Sequence, residues 1–254
     1  MATVAVIGGT GMNQWPGLTV GKRLEIDTPY GKPSAPLLLG KVYGIEAVFL
    51  ARHGEGHKIP PHAINYRANL WALKQAGVRS VVAVAAVGAI APWLPPGAVA
   101  AAADLIDYTW GRAHSYSDGA GAELQHVEFT EPYSERVRRE LLHAALAARI
   151  DVADGGVMGV TQGPRLESAA EIKRLKRDGC DMVGMTGMPE AGLARELGLD
   201  YACLAVSVNW AAGFGSGDIH GEIHQSIEEG MAKVRGILER ALPALRAKDE
   251  EMGT

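Results

Sequence analysis

Residues 201–213 read Tyr-Ala-Cys-Leu-Ala-Val-Ser-Val-Asn-Trp-Ala-Ala-Gly, and this stretch predicts the fold around it. Eight mostly apolar residues end abruptly in Asn209, and small residues and glycines follow as far as Gly217. The pattern is typical of a buried sheet strand that opens into a binding cleft. The Asn209 amide both donates and accepts hydrogen bonds, so it suits the edge of a small heterocycle. The alternative interpretation is an asparagine that only caps a turn beside glycine.

The rest of the chain alternates between strand patterns and helix patterns. Residues 80–86 are β-branched or alanine, which indicates a buried strand, and residues 65–75 and 131–148 have helical spacing. The chain has 254 residues, of which 47% are apolar and 21% charged, enough to bury a sizeable core. We therefore predict an α/β fold with a mixed central β-sheet flanked by helices. Residues 1–247 are expected to form a single domain, and residues 248–254 a frayed polar tail.

The composition argues against several classes of protein. The formal charge is −4, the isoelectric point is about 6.1 and no basic block stands out, so no nucleic-acid partner is expected. No apolar run reaches about 18 residues, so no transmembrane helix and no membrane partner are expected. The N-terminus lacks the basic region of a signal peptide. We expect Cys180 and Cys203 to be buried, reduced thiols of a cytoplasmic protein.

A glycine-rich loop follows the first predicted strand, at Gly8-Gly9-Thr10-Gly11. Its backbone N–H groups and the Thr10 hydroxyl suit a small anion. A dinucleotide-binding loop is disfavoured because, counting from Gly9, the sixth position is Gln14 and not glycine. A plain tight turn is the alternative.

A second polar loop runs from Arg52 to His57. The planar fork of Arg52 matches phosphate, and His53 can add a further contact. The spacing of His53, His57 and His62 fits no common zinc pattern, so a metal site is disfavoured. The alternative is a solvated polar loop.

Two further loops have the same character. Thr186 stands just before a predicted helix, where a hydroxyl and free amides bind an anion or simply cap the helix. Glu190 falls in the first turn of that helix, where a carboxylate is favourable in any case. The segment from Thr161 to Glu167 suggests a shaped rim, although Glu167 also fits a helix-start carboxylate. Together the loops point to chemistry with phosphate and an uncharged heterocycle.

The order of these motifs resembles the trimeric purine nucleoside phosphorylase family, and within it the methylthioadenosine phosphorylase branch. The resemblance covers nearly the whole chain. It rests on residues 7–11, 28–34, 51–54, 65–69, 163–165 and 185–190. It implies a homotrimer that needs inorganic phosphate as co-substrate and no metal or organic cofactor. Phosphate then attacks the anomeric carbon of a small-molecule purine (thio)nucleoside while the glycosidic bond breaks through an oxocarbenium-like transition state.

The resemblance also implies roles for individual residues. Phosphate is expected to contact Thr10, Arg52, His53, Thr186 and the backbone N–H of Ala86. The base and ribose are expected to contact Leu166, Glu167, Met185, Asn209 and Ala211, with Asn209 and His53 as the catalytic pair. The 5′ group of the sugar is expected near His220, Ile223 and, from the neighbouring subunit, His126.

The chain departs from the family pattern at two positions. Relatives usually carry Thr or Asn where this chain has Ala85, so one phosphate-binding side chain is missing. Methylthioadenosine phosphorylases carry Asp where this chain has Asn209, and a second Asp in place of Ala211. An amide can donate to O6 of a 6-oxopurine and accept from a protonated N7, and a mismatched base costs about 1–3 kcal/mol. We therefore expect hypoxanthine or guanine to be preferred over adenine.

Several alternatives stay open on the sequence alone. His220 favours a 5′-hydroxyl and its apolar neighbours favour a 5′-methylthio group, so inosine, guanosine and S-methyl-5′-thioinosine are all candidate substrates. A methylthioadenosine phosphorylase is the nearest alternative enzyme. A nucleosidase that uses water, and a purine-binding protein without activity, are alternatives of other classes.

Overall fold

The computed structural model describes residues 3–12, 15–118, 124–215 and 219–252, without the side chains of residues 219–223. Its described residues form an 11-stranded mixed sheet and five α-helices. The strands are β1 Val4–Gly8, β2 Thr19–Leu24, β3 Leu37–Val42, β4 Ile45–Ala51, β5 Ser80–Ala89, β6 Val99–Ala101, β7 Asp104–Asp107, β8 Ala153–Asp154, β9 Val157–Val160, β10 Met182–Gly184 and β11 Asp200–Trp210. The helices are α1 Tyr66–Gln75, α2 Glu135–Ala148, α3 Ala169–Arg177, α4 Gly187–Glu196 and α5 Ile219–Glu251, with a short 3₁₀ turn at Pro61–Ala63.

The strand β5 is the axis of the sheet. It pairs in parallel with β1 and β11 and in antiparallel fashion with β10. Residues 80–85 of β5 are buried, as their β-branched and alanine side chains predict. The helices α2, α4 and α5 pack on β11, and α2 also packs on α5. The predicted fold class, a mixed α/β domain with helices around a central sheet, is confirmed.

Several predicted strand boundaries differ from the observed ones. The buried strand expected to end at Ala86 continues to Ala89, because Gly88 pairs with both β10 and β11. Residues 98–106 have a pattern that predicts one strand, but they contribute to two strands. The first of them, β6, pairs with β11 and the second, β7, pairs with β9, so the chain must change neighbours between them.

The C-terminal helix continues into the expected tail. The helix α5 extends to Glu251, and Asp249 is only 2% exposed. The Asp249 carboxylate accepts from Ser80 at 2.8 Å and pairs with Arg136 at 3.0 Å. The prediction of a frayed tail from residue 248 is therefore corrected for residues 248–251, because these contacts tie the end of α5 to the start of β5. A search of the described residues finds no helix long and apolar enough to cross a membrane.

We expect Asp249→Ala to lower the free energy of unfolding by about 1–3 kcal/mol, because Ser80 and Arg136 lose a buried acceptor. Urea unfolding followed by circular dichroism measures the change. The matched control is Glu239→Ala, at an exposed position of the same helix, which should change stability by less than about 0.5 kcal/mol. Equal effects of the two substitutions would show that the end of α5 contributes no specific contact.

Candidate active site

Two of the predicted phosphate-binding residues, Arg52 and Ala86, lie at a gap in the sheet beside β5. The pairing of β1 with β5 ends at Ala83, and the pairing of β10 with β5 begins at Gly88. Alternate strand residues direct their backbone N–H and C=O groups to the same side, so Val84 and Ala86 both face this gap. The Val84 carbonyl accepts from Nη1 of Arg52 at 2.9 Å. The Ala86 N–H therefore faces the space in which phosphate is expected.

Arg52 is held at this gap by a buried carboxylate. Its side chain is 1% exposed, and Nε and Nη2 donate to the two carboxylate oxygens of Glu190 at 2.7 and 2.8 Å. Burial opposes the charge of the guanidinium, but the ion pair with Glu190 outweighs it and raises the pKa of Arg52. Arg52 is thus a fixed positive group beside β5.

The glycine loop comes close to Arg52, which explains one of its glycines. A Cβ atom on Gly9 would lie 2.6 Å from the Val84 carbonyl oxygen and 2.7 Å from Nη1 of Arg52. A side chain at Gly9 is therefore excluded by contact with Val84 and Arg52, in addition to any turn requirement. The next residue, Thr10, places its hydroxyl 3.4 Å from Nε2 of His57.

The His53 imidazole is neutral in this environment. It is 7% exposed, and burial together with the charge of Arg52 lowers the pKa of His53 to about 4. Its Nδ1 lies 2.9 Å from the carbonyl oxygen of Ile59, which can only accept, so Nδ1 carries the hydrogen. Nε2 is then a hydrogen-bond acceptor near pH 7, and it suits the O–H of a protonated phosphate.

Thr186 occupies the N-cap position of α4 and is 8% exposed. Within the described residues its hydroxyl makes no capping hydrogen bond, so simple helix capping does not account for it. Glu190 does lie in the first turn of α4, as predicted. Its carboxylate, however, binds Arg52 rather than the end of the helix.

A small cavity lies at the ends of β10 and β11. Its lining includes all five residues predicted to contact the base and ribose, namely Leu166, Glu167, Met185, Asn209 and Ala211. The Thr161 hydroxyl donates to Glu167 at 2.5 Å, which holds that carboxylate at the cavity wall. Met185, in the cavity wall, directly precedes Thr186, one of the predicted phosphate-binding residues. Their proposed contacts with substrate remain predictions.

The position of Asn209 is set by a bulge in β11. Ser207 pairs with Val87 and Asn209 pairs with Gly88, so Val208 is the extra residue. The Nδ2 atom of Asn209 donates to the carbonyl oxygen of Trp210 at 2.6 Å. This bond fixes which way the amide points, and it leaves one N–H and the Oδ1 atom for a ligand.

Arg112 joins the two loops that form the cavity wall. The side chain is 8% exposed and donates to the carbonyl oxygens of Met185 at 2.9 Å and Met188 at 2.6 Å. It also donates to the carbonyl oxygens of Thr161 at 3.2 Å and Gln162 at 2.8 Å. Burial lowers the pKa of Arg112. The guanidinium thus links these two loops beyond the point where the pairing of β9 with β10 ends.

The remaining predicted residues are not brought to this cavity by any described contact. His126 is exposed. His220 and Ile223 fall in the first turns of α5, but their side chains lie outside the described residues. Ala85 is 4% exposed and pairs with Ala205. No group of three or more possible metal ligands occurs in the part of the chain that the structure describes.

Three features of the site were not predicted from the sequence. On the sequence alone, Glu190 is placed only at the start of the helix. Its spacing to Leu193 and Ala194, however, puts it on the buried face of α4, so this spacing predicts a buried carboxylate. Arg112 stands among many polar residues of one long loop, and nothing local distinguishes it. The bulge at Val208 leaves no mark in the sequence, because the mostly apolar run continues through it as far as Asn209.

The chain matches known proteins over nearly its full length. The family model described as "Phosphorylase superfamily" matches residues 3–243. A protein of Pseudomonas syringae pv. tomato named "Probable S-methyl-5'-thioinosine phosphorylase" is 51% identical, over 96% of this chain and 100% of that protein. A "6-oxopurine nucleoside phosphorylase" of Pyrococcus furiosus is 39% identical, over 96% of this chain and 94% of its own length.

A solved structure of another phosphorylase also superposes on this chain. A methylthioadenosine phosphorylase of Schistosoma mansoni in complex with adenine superposes with a TM-score of 0.89 at 31% identity. The superposition covers 97% of this chain and 93% of the other.

We expect Arg112→Met to lower the free energy of unfolding by at least about 2 kcal/mol, because several partly buried carbonyl groups lose their donor. Chemical denaturation measures the change. Arg177→Met is the matched control, since the Arg177 side chain is 77% exposed, and it should cost less than about 0.5 kcal/mol. A stable Arg112→Met protein would mean that the two loops are held together by other contacts.

Proposed function

The chain belongs to the phosphorylase superfamily, and from that premise we propose that it cleaves 6-oxopurine nucleosides with inorganic phosphate. The products are the free base and the sugar 1-phosphate. The observation that carries the proposal is the Asn209 amide, oriented by Trp210, in a cavity that is also lined by Met185, the residue next to Thr186.

Phosphate is proposed to bind in the gap beside β5. Its ligands are the Thr10 and Thr186 hydroxyls, the Arg52 guanidinium, the Ala86 N–H and Nε2 of His53. Because Glu190 neutralises Arg52 and His53 is neutral, hydrogen bonds rather than a surplus of positive charge hold the anion. The missing polar side chain at Ala85 leaves this set one ligand short of the family pattern.

The reaction is proposed to proceed by attack of a phosphate oxygen on the anomeric carbon as the bond to the base breaks. Monohydrogen phosphate becomes a sugar phosphate of the same charge, so one proton ends on the released base. The protein's contribution is to hold the anion beneath the ribose and to stabilise charge that builds up on the purine. Met185 is proposed to pack under the ribose, and Leu166 and Glu167 to close its other side.

Asn209 is proposed to select the base. Its remaining N–H donates to O6 of hypoxanthine or guanine, and Oδ1 accepts from N7 as that nitrogen becomes protonated. Adenine presents an amino group at the same place, so donor would meet donor. The cost of the mismatch, about 1–3 kcal/mol, corresponds to about a 5- to 150-fold preference. Ala211, on the same cavity wall, adds no competing polar group.

The 5′ group of the substrate is proposed from the names of the relatives. Relatives named for S-methyl-5′-thioinosine have the higher identity, and relatives named for 6-oxopurine nucleosides follow. We propose S-methyl-5′-thioinosine as the principal substrate, with inosine and guanosine as further ones. His220 and Ile223 are the residues expected to separate them.

The assembly and location are proposed on the family resemblance together with surface features. A homotrimer is proposed in which His126 of one subunit reaches the neighbouring site. Exposed apolar side chains beside the site, Trp110 at 72% and Leu166 at 51%, are in keeping with a covered surface there. Phosphate is the only co-substrate proposed, with no metal or organic cofactor. A cytoplasmic location is in keeping with the unpaired thiols of Cys180 and Cys203.

A methylthioadenosine phosphorylase is the second candidate, because solved structures of that activity superpose closely on this chain. The deciding feature is again the group that faces the base, which is an amide here.

The proposal predicts that cleavage of S-methyl-5′-thioinosine and inosine requires phosphate, and that methylthioadenosine is the poorer substrate. Release of free base is measured with and without phosphate for the three nucleosides side by side. The 6-oxopurines should have the higher kcat/KM by about fivefold or more. Cleavage that proceeds equally well in water would indicate a nucleosidase. Equal or faster cleavage of methylthioadenosine would favour the second candidate.

A change of the amide to a carboxyl group should move the preference toward 6-aminopurines. We expect Asn209→Asp to lower kcat/KM for S-methyl-5′-thioinosine by about tenfold or more relative to methylthioadenosine, because a carboxylate cannot donate to O6. Gln75→Glu, the same chemical change at an exposed position of α1, is the control and should leave the ratio unchanged. An unaltered ratio in Asn209→Asp would remove Asn209 from base selection.

A further inference from the structure

Glu190 is a fully buried carboxylate to which no substrate contact has been assigned. It is 0% exposed, and the two oxygens of its side chain accept from Nε and Nη2 of Arg52 at 2.7 and 2.8 Å. Its partner lies 138 residues away in the chain. The pair therefore connects α4 to the loop after β4 through the interior of the protein.

The bidentate contact limits what Arg52 can do. A guanidinium has five N–H groups in one plane. Two of them bind Glu190 and one binds the Val84 carbonyl, which leaves two for a ligand. Because the Arg52 guanidinium is planar and is held by Glu190 and Val84, the direction of its two remaining N–H groups is fixed before any anion binds.

Glu190 is itself held by Tyr201. The buried Tyr201 hydroxyl donates to Oε1 of Glu190 at 2.8 Å. Tyr201 lies on β11, the strand that also carries Asn209. One strand thus supports the proposed base contact directly and the proposed phosphate contact through Glu190.

A neighbouring tyrosine provides a natural comparison. The ring of Tyr133 stacks on that of Tyr201 with their centroids 6.1 Å apart, and Tyr133 is 2% exposed. Its buried hydroxyl has no hydrogen-bond partner among the described residues. Tyr133 and Tyr201 therefore differ chiefly in whether the hydroxyl reaches Glu190.

We infer that Glu190 is a positioning residue for phosphate: it aligns the Arg52 guanidinium on the gap beside β5, and Tyr201 holds Glu190 in place. The inference rests on the proposed function and adds to it a residue that never touches substrate. Stability alone is a weak reason for a buried ion pair, because apolar side chains of similar volume often stabilise a protein as well or better. Presenting a charged guanidinium in one orientation is a task that apolar side chains cannot perform.

The test compares four variants of the full-length protein with the wild type. Glu190→Gln removes the charge and one acceptor, and Glu190→Asp keeps the charge on a shorter side chain. Tyr201→Phe removes the hydroxyl that holds Glu190, and Tyr133→Phe removes a hydroxyl without a partner. For each protein, KM for phosphate, KM for nucleoside and kcat are measured with S-methyl-5′-thioinosine. The rise in melting temperature caused by inorganic phosphate alone is measured in parallel.

The expected result is a selective loss of phosphate affinity. Glu190→Gln should raise KM for phosphate by about tenfold or more, and Tyr201→Phe by about threefold or more, while KM for nucleoside changes by less than about twofold. Glu190→Asp should recover part of the loss, because it keeps the charge but not the reach. The phosphate-induced rise in melting temperature should shrink in the same order. Tyr133→Phe should match the wild type.

The other outcomes overturn either the inference alone or the inference together with the proposed function. Folded Glu190→Gln and Tyr201→Phe proteins with wild-type KM for phosphate, or with tighter phosphate binding, would show that Glu190 does not position Arg52. If Glu190→Gln does not fold, Tyr201→Phe decides, since it leaves the ion pair in place. A wild-type protein that is inactive with phosphate, and unaffected by it on melting, overturns the proposed function and the inference together. Wild-type activity with unchanged variants overturns the inference alone.

Discussion

The ion pair between Arg52 and Glu190 is the contact on which the rest of the site depends. Both side chains are almost completely removed from water, a state that charged groups tolerate only when paired. Removal of one partner from such a pair typically costs about 3–5 kcal/mol. The pair also connects several elements of the site. Arg52 donates a hydrogen bond to the Val84 carbonyl of β5, and Glu190 accepts one from the Tyr201 hydroxyl of β11. Three strands and α4 thus meet at one charged contact.

The sheet supplies the two spaces beside this contact. The gap beside β5 exists because β1 stops pairing at Ala83 and β10 starts at Gly88, which exposes backbone groups that a continuous sheet would have used. On the other side of β5, the bulge at Val208 brings Asn209 level with Gly88. The proposed phosphate and base positions are therefore consequences of where strands begin, where they end and where their register shifts. The few side chains at those points then set the chemistry.

The sequence predicted those parts of the molecule whose cause is local. The apolar run that ends in Asn209, the glycine loop and the hydroxyl before α4 are short-range patterns. The strand β1 ends at the glycine loop and α4 begins after Thr186, while β11 continues to Trp210. The roles assigned to Thr10, Arg52, His53 and Thr186 came from resemblance and stay predictions.

The partners of those residues were not predictable in the same way, because they depend on distant parts of the chain. Glu190 meets Arg52 across 138 residues, and Arg112 finds its carbonyl partners on loops 49 to 76 residues further on. The frayed tail was wrong for residues 248–251 for the same reason, since the polar Asp249 finds Ser80 and Arg136 only once the sheet has formed.

The central claim is that one fixed guanidinium and one fixed amide define where phosphate and purine sit. A crystal structure of the protein with hypoxanthine and phosphate tests it most directly. The account predicts phosphate in the gap beside β5, within hydrogen-bond distance of Arg52 and the Ala86 N–H, with both bonds from Arg52 to Glu190 intact. It also predicts O6 and N7 of hypoxanthine on the Asn209 amide. A phosphate bound without Arg52, or a base that leaves Asn209 bonded only to Trp210, would contradict it.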